Sequence, residues 1–180
     1  PDIAYAVRYI GVDDVYLELF EHQYDVPEGM SYNSYVILDE KTAVLDTADA
    51  RKTDEWFANL KEVLGETQPS SLVVHHCEPD HASNIATFIA AYPEAKILCS
   101  AKAAQLIGQF FDADLTANIQ TVKEGDVISL GAHSLQFIAA PMVHWPEVLM
   151  SYEATEKILF AADGFGKFGA ICNEHSRTTG

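Results

Sequence analysis

The segment LVVHHCEPDHASN, Leu72 to Asn84, places His75, His76, Cys77, Glu78, Asp80 and His81 directly after an apolar run. In an extended chain alternate side chains project to the same side. His76 and Glu78 therefore point together from the end of the strand SLVV. Pro79 then turns the chain, and Asp80 and His81 lead into the next helix. Four potential ligands are thus aimed at one small volume. Imidazole nitrogens and carboxylate oxygens without sulfur suit iron, manganese or zinc, and the two carboxylates move the balance toward iron or manganese. Four such groups divide naturally between two cations, because adjacent cations need anionic charge between them. His75 and Cys77 fall on the opposite side of the same strand. They are expected to pack, the first as a hydrogen-bonded core histidine and the second as a small buried hydrophobe.

Two later segments extend the set. APMVHWPE ends a strand and holds His144 in a turn stiffened by Pro141 and Pro146. ILFAADGFG ends another apolar strand with Asp163, after which Gly164 and Gly166 let the backbone turn closely. In company with the first cluster, Asp163 has the character of a bridging carboxylate. Trp145 is expected to pack the wall of the site, and Tyr32 and Met30 either approach its mouth or pack.

The elements that must carry these side chains are short. IAYAVRYIGV and VYLELF read as early strands with a turn at Asp13-Asp14, and SYVILD and TAVLDT as a pair joined at Asp39-Glu40-Lys41. DEWFANLKEVLG sets Trp56, Phe57, Leu60, Val63 and Leu64 on one helical face and stops at Gly65. SNIATFIAAY is a helix with Ser83 at its N-cap, AKILCS a strand and AAQLIGQFF a helix. From Ile119 to Pro141 the chain reads as hairpins turning at Glu124-Gly125 and Gly131-Ala132, followed by strands VLMSYEA and KILFAAD. The order predicts two sheets with helices on their outer faces, an α/β (α+β) fold.

With 180 residues, 27 acids against 11 bases and a formal net charge of −16, the chain fits one domain that repels nucleic acid and anionic membranes. Cys77, Cys99 and Cys172 form no C-x-x-C pair, which points to a reducing compartment. No signal segment opens the chain and no apolar run spans a membrane, so a soluble, cytoplasmic protein is expected. There is no Ser/Thr-rich phosphate loop, and no flavin or nucleotide site is expected in these residues.

Taken together, YNSYVILDEKTAVLDT, HCEPDHASN, HWPE and LFAADGFGKFGA resemble the flavodiiron proteins of the metallo-β-lactamase superfamily, over about residues 1 to 170. Hydrolases of that superfamily carry His-x-His-x-Asp-His at this place; Glu78 stands at the second histidine, the mark of the diiron branch. The resemblance implies a metallo-β-lactamase-like αββα sandwich, partial, over 1–180. It implies two irons: one on His76, Glu78 and His144, the other on Asp80 and His81, with Asp163 bridging. In the family a later histidine completes the second iron, and a flavodoxin-like domain carries FMN. Both are expected to lie outside this chain, which reads as a fragment, and His175 in CNEHSRTTG has no matching context. The family reduces dioxygen to water, nitric oxide to nitrous oxide, or both, with electrons from FMN or a donor such as rubredoxin, in a head-to-tail homodimer. The rival readings are a dinuclear zinc hydrolase, against which Glu78 argues, and a non-catalytic diiron module that binds or senses oxygen.

Overall fold

Val36, Val44 and Leu72 alternate along their strands with Ile37, Ala43, Leu45 and Val73, and both sets are buried. Strands covered on both faces belong to the middle of a layered fold, and the computed structural model places them there. It describes residues 2–15 and 29–164, with the backbone of two short strands at 19–20 and 24–25. In chain order the elements are β1 (Val7–Tyr9), β2 (Val12–Asp14), β3 (Leu19–Phe20), β4 (Tyr24–Asp25), β5 (Met30–Tyr32), β6 (Tyr35–Ile37), β7 (Ala43–Leu45), α1 (Thr53–Leu64), β8 (Ser71–Val73), α2 (Pro79–Ala82), α3 (Ile85–Ala91), β9 (Lys96–Cys99), α4 (Ala101–Phe110), β10 (Ile119–Thr121), β11 (Val127–Ser129), β12 (Ser134–Ala139), β13 (Leu149–Glu153) and β14 (Ile158–Phe160).

One sheet runs β1-β6-β7-β8-β9-β10 and a second runs β11-β12-β13-β14. The first is antiparallel as far as β7 and parallel from there to β10. The second is antiparallel throughout. Val7, Ile37, Leu45, Val73 and Leu98 meet Leu135, Phe137, Leu149 and Phe160 between the sheets. On the other face of the first sheet, Val44, Leu72, Val74 and Ile97 pack against Trp56, Leu60, Ile85, Phe88 and Ile107 of the helices. Each parallel connection carries a helix, as parallel strands require.

Several expectations hold. α1 ends at Gly65, whose φ of +57° suits glycine and whose N–H donates to the Lys61 carbonyl. The turn at Asp39-Glu40-Lys41 joins β6 to β7, and Gly131 (φ +125°) lies in the turn between β11 and β12. Others do not. Asp13 and Asp14 form no turn; they lie in β2, paired with β5. Ser83 is not an N-cap: its Oγ donates back to the Pro79 carbonyl at 2.6 Å, closing α2, and α3 starts after Asn84. α4 begins two residues earlier than the apolar pattern suggests, because the Ser100 hydroxyl accepts from Ala103 N–H and caps it. Ile119–Thr121 is no hairpin strand but pairs in parallel with β9, so the turn at Gly125 carries the chain from one sheet to the other. Of VYLELF, residues 16–18 lie outside the described residues, as do Gly166, Cys172 and His175. Among the described residues no helix is long and apolar enough to cross a membrane.

A polar clasp ties the sheets at the end away from the carboxyl ends of β7 and β8. Asp39, in the β6–β7 turn, accepts from His133 N–H at 2.7 Å and from His133 Nδ1 at 2.8 Å. Glu156, after β13, approaches His133 Nε2 at 3.4 Å and accepts from Ala6 N–H. Burial disfavours charge on His133, but Asp39 and Glu156 overcome it and raise its pKa. Burial likewise disfavours charge on Asp39, but the N–H donors and His133 lower its pKa to about 2. The contribution of His133 is therefore complete below its unfolded pKa of about 6.5 and is lost as pH rises through the folded value. That of Asp39 is complete above about pH 4 and is lost as pH falls toward the folded value. Urea midpoints of the parent and H133Q should differ most between about pH 4 and pH 6.5 and converge as pH rises; a constant gap would show that the His133 proton adds no stability.

Candidate metal centre

β7 and β8 run parallel, and their carboxyl ends open side by side, the usual place for a ligand in a parallel sheet. Past Leu45, Asp46 takes φ +55°, a left-handed turn that aspartate tolerates better than most residues. Past β8, Glu78 stays extended, and Pro79 opens α2, where its missing N–H costs nothing. Asp80 and His81 fall in that short helix and are buried. The Thr47 N–H and hydroxyl both reach the His81 carbonyl at 2.8 Å and hold the turn against β7. Asp163 follows β14 after Ala162 at φ +48°, a costly backbone for a residue with a Cβ. A Cβ on the next residue, Gly164, would collide with the Met150 side chain and lie 2.9 Å from the Ala161 carbonyl, so only glycine fits this turn.

These turns bring all six predicted ligands together, in two groups that share one residue. Ligand atoms of His76, Glu78, His144 and Asp163 lie within 4.8 Å of one another, as do those of Asp80, His81 and Asp163. In the first group Glu78 Oε2 is 2.8 Å from His76 Nε2 and 2.9 Å from His144 Nε2. Asp163 Oδ2 lies 3.5 Å from His76 Nε2 and 3.4 Å from His144 Nε2. The other oxygen, Oδ1, turns to the second group, 2.9 Å from His81 Nε2. His81 Nε2 also lies 3.5 Å from Asp80 Oδ2. Donors bound about 2.1 Å from one cation sit roughly 3–3.4 Å from their neighbours, close to the 2.8 to 3.5 Å separations found here. Asp80 Oδ1 is buried with no hydrogen-bond partner, an acceptor that a cation would satisfy. The donor set, with two histidines and two carboxylates in one group and one histidine and two carboxylates in the other, therefore fits a pair of metal ions.

The charges agree. Without a cation, burial opposes a proton on His76, yet Glu147 and Glu78 raise its pKa to about 9. Burial opposes a proton on His81 too, but Asp80, Asp163 and Asp46 raise its pKa well above the ordinary value. Burial, reinforced by Asp163 and Glu78 against the pull of His81, pushes Asp80 up to about 6. Protons on imidazoles stand where positive charge is needed.

Two further carboxylates, neither of them among the sequence candidates, support the site. Glu147 is fully buried and accepts from His76 Nδ1 at 2.7 Å and from Cys77 N–H at 2.9 Å. Asp46 accepts from His75 N–H at 2.8 Å and His75 Nδ1 at 3.0 Å, and its Oδ2 lies 3.5 Å from His81 Nδ1. Ser151 of the second sheet donates to His75 Nε2 at 2.6 Å. His75 is thus the hydrogen-bonded core histidine expected of it. Cys77 is buried as expected but not on the side of His75: the strand has ended, and Cys77 lies in the helix-facing core beside Ala103. Trp145 stands edge-on to the His76 ring at 5.3 Å, a wall of the site. Tyr32 is buried in the helix-facing core, and Met30 packs against it. The available signals were an acid after the apolar run TAVL, as in ILFAAD, and the glutamate closing HWPE.

Comparison with known proteins decides the family. The model of the ODP family beta lactamase matches residues 30–178. The chain belongs to this family. It is 33% identical over 162 residues to a nitric oxide reductase of Moorella thermoacetica, covering 89% of this chain and 40% of that protein. Among solved structures, the flavodiiron protein of Giardia intestinalis superposes with a TM-score of 0.88 at 29% identity, covering 94% of this chain and 41% of the other. Rubredoxin oxygen:oxidoreductase of the anaerobe Desulfovibrio gigas superposes at 0.86 and 31% identity, covering 94% and 42%. The fold is the metallo-β-lactamase-like fold of the flavodiiron proteins, and the chain spans about 40% of these relatives' length.

Asp46 joins the ligand-bearing turn to His75 and the second sheet, so its loss should be felt in the whole fold. Asp46→Ala strands a buried histidine and should cost roughly 3–5 kcal/mol, whereas Ser151→Ala removes one hydrogen bond and should cost roughly 1–3 kcal/mol. Chemical denaturation of the two variants against the parent checks both.

Proposed function

We propose that this chain is the diiron module of a flavodiiron oxidoreductase that reduces dioxygen to water, nitric oxide to nitrous oxide, or both. The observation that carries the reading is the division of Asp163 between two donor groups, one carboxylate oxygen to each, beside a glutamate at position 78. One iron would be held by His76, Glu78, His144 and Asp163, the other by Asp80, His81 and Asp163. When bound, a pair of ferrous ions supplies electrons to a diatomic molecule, chemistry that no side chain here can perform.

The chain's own residues hold, orient and exclude. Asp163 sets the spacing of the two positions and neutralises charge between them. Glu78 adds a hard anionic ligand where a neutral imidazole would better suit a zinc hydrolase. Trp145 and the buried strand ends keep water from one side of the site, while His144, 60% exposed, marks the side open to substrate and electron donor. Electrons would come from FMN on a flavodoxin-like domain or from a partner such as rubredoxin, and a head-to-tail homodimer would bring that flavin near His144. Cys77 and Cys99 are free and buried, in keeping with a reducing, cytoplasmic setting.

Protein purified without oxygen should contain iron well above zinc, approaching two per chain, and consume oxygen or nitric oxide when given reduced rubredoxin. Two zinc ions per chain with esterase turnover would instead establish a hydrolase, and iron without turnover a binding module. Asp163→Ala should lose both irons together by elemental analysis; retention of both would refute the bridge.

A further inference from the structure

We infer that Glu147 is a positioning residue for the metal centre: its buried carboxylate holds the proton of His76 on Nδ1 and so presents Nε2, unprotonated, to the first metal. The inference deepens the metal-centre reading and rests on it only for there being a metal at His76.

Glu147 is placed from several directions. Its side chain is fully buried, and its Oε1 takes two donors, His76 Nδ1 at 2.7 Å and Cys77 N–H at 2.9 Å. Its carbonyl accepts from the Ser100 hydroxyl at 2.9 Å, which ties the loop to the start of α4. Two residues on, Leu149 N–H donates to the His75 carbonyl, so the loop is stitched to the ligand-bearing segment itself. An ionised carboxylate only accepts, so the shared proton belongs on Nδ1. On a neutral ring bound to a metal, the other nitrogen then carries the lone pair. It faces Glu78 Oε2 at 2.8 Å, His144 Nε2 at 3.3 Å and Asp163 Oδ2 at 3.5 Å. Four potential donor atoms converge there, and a cation is what can satisfy them together. The edge-on Trp145 at 5.3 Å opposes rotation of the ring out of this pose. His144, by contrast, is 60% exposed, so within the first group the rigid imidazole is His76.

The carboxylate also matters as a charge. An anion hydrogen-bonded to the far side of a ligating imidazole makes that imidazole a stronger donor and favours the more positive metal. Glu147 Oε2 has no hydrogen-bond partner and is buried, so little else neutralises this charge before it reaches His76. Glu147 is thereby suited to raise metal affinity and to lower the reduction potential of an iron bound at His76.

The test separates position from charge. In zinc-loaded, 15N-histidine-labelled protein, long-range proton–nitrogen NMR should find His76 protonated on Nδ1 and bound through Nε2; binding through Nδ1 would overturn the proposal. In chelator competition, Glu147→Ala should lose about 10–100-fold in metal affinity. Glu147→Gln, which keeps an acceptor without the charge, should lose less, and Glu147→Asp should recover most of it. Equal affinity in all three variants would overturn the proposal, and Asp no better than Gln would remove the role of charge. In the iron-loaded protein Glu147→Gln should favour the ferrous state about tenfold, a rise of about 59 mV for one electron; an unchanged potential counts against the charge. Should the Ala variant not fold, the parent spectrum and the Gln and Asp variants still decide. The zinc measurements do not depend on redox activity, so a normal His76 spectrum beside no turnover when a reduced flavin domain is supplied would refute the oxidoreductase reading and leave Glu147 in place.

Discussion

Buried negative charge at one point is the constraint around which this molecule is arranged. Glu78, Asp80 and Asp163 converge at the carboxyl ends of β7 and β8, with Asp46 and Glu147 directly behind the histidines. Carboxylates so placed cannot all ionise in a poorly solvated site unless positive charge stands among them. Imidazoles beside these carboxylates are drawn toward the charged form, so the pKa values of His76 and His81 are raised, and burial with the neighbouring acids raises that of Asp80. Metal ions meet the same need with greater charge and more directed bonds. The electrostatics and the ligand geometry thus describe one requirement.

A site under such repulsion needs a stiff frame, and hydrogen bonds crossing all three layers supply it. Trp56 of α1 donates through Nε1 to the Ser34 hydroxyl at 3.0 Å, and Ser34 donates to the Asp46 carbonyl at 2.9 Å. The Asp46 carboxylate holds His75, and His75 accepts from Ser151 in β13. The line runs from the helix layer through the first sheet into the second. Every member is buried, so each bond is protected from competing water and each broken one leaves an unpaired polar group. Asp46 pairs this line with its 3.5 Å approach to His81. A residue that reads as core packing, His75, therefore helps to fix a ligand without touching a metal position.

What could be read in the sequence divides by distance along the chain. His76, Glu78, Asp80 and His81 lie within one turn, and strand alternation and Pro79 suffice to group them. α1 is equally legible, since Trp56, Leu60 and Leu64 recur at helical spacing and are all buried. His144 and Asp163 came from their strand-end context and the family resemblance, and the fold brings both to the site. Asp46 and Glu147 were not legible, because their roles depend on approaches across 29 and 71 positions that no local pattern encodes. β10 is ambiguous for a related reason: its residues suit a hairpin as well as a parallel edge, and pairing with β9 decides the matter. Ser83 shows the opposite case, where a good N-cap residue is taken by a nearer carbonyl.

The ligands also differ in when the fold can bring them together. His76, Glu78, Asp80 and His81 belong to one loop of the first sheet and need little beyond β7 and β8 to face one another. Asp163 hangs from β14 in the second sheet, and His144 from the loop before β13. Neither can join the others until the sheets have closed over Leu45, Val73, Phe137 and Leu149. A cation shared between the first group and Asp163 then ties the sheets at this end, as His133 and Asp39 tie them at the other. Because such a cation binds the closed arrangement and not the open one, its binding energy is added to the stability of the sheet-on-sheet packing. The repulsion among these carboxylates and the clasp that a metal would provide come from the same side chains. The candidate ligands therefore bear on the stability of this sandwich as well as on its site.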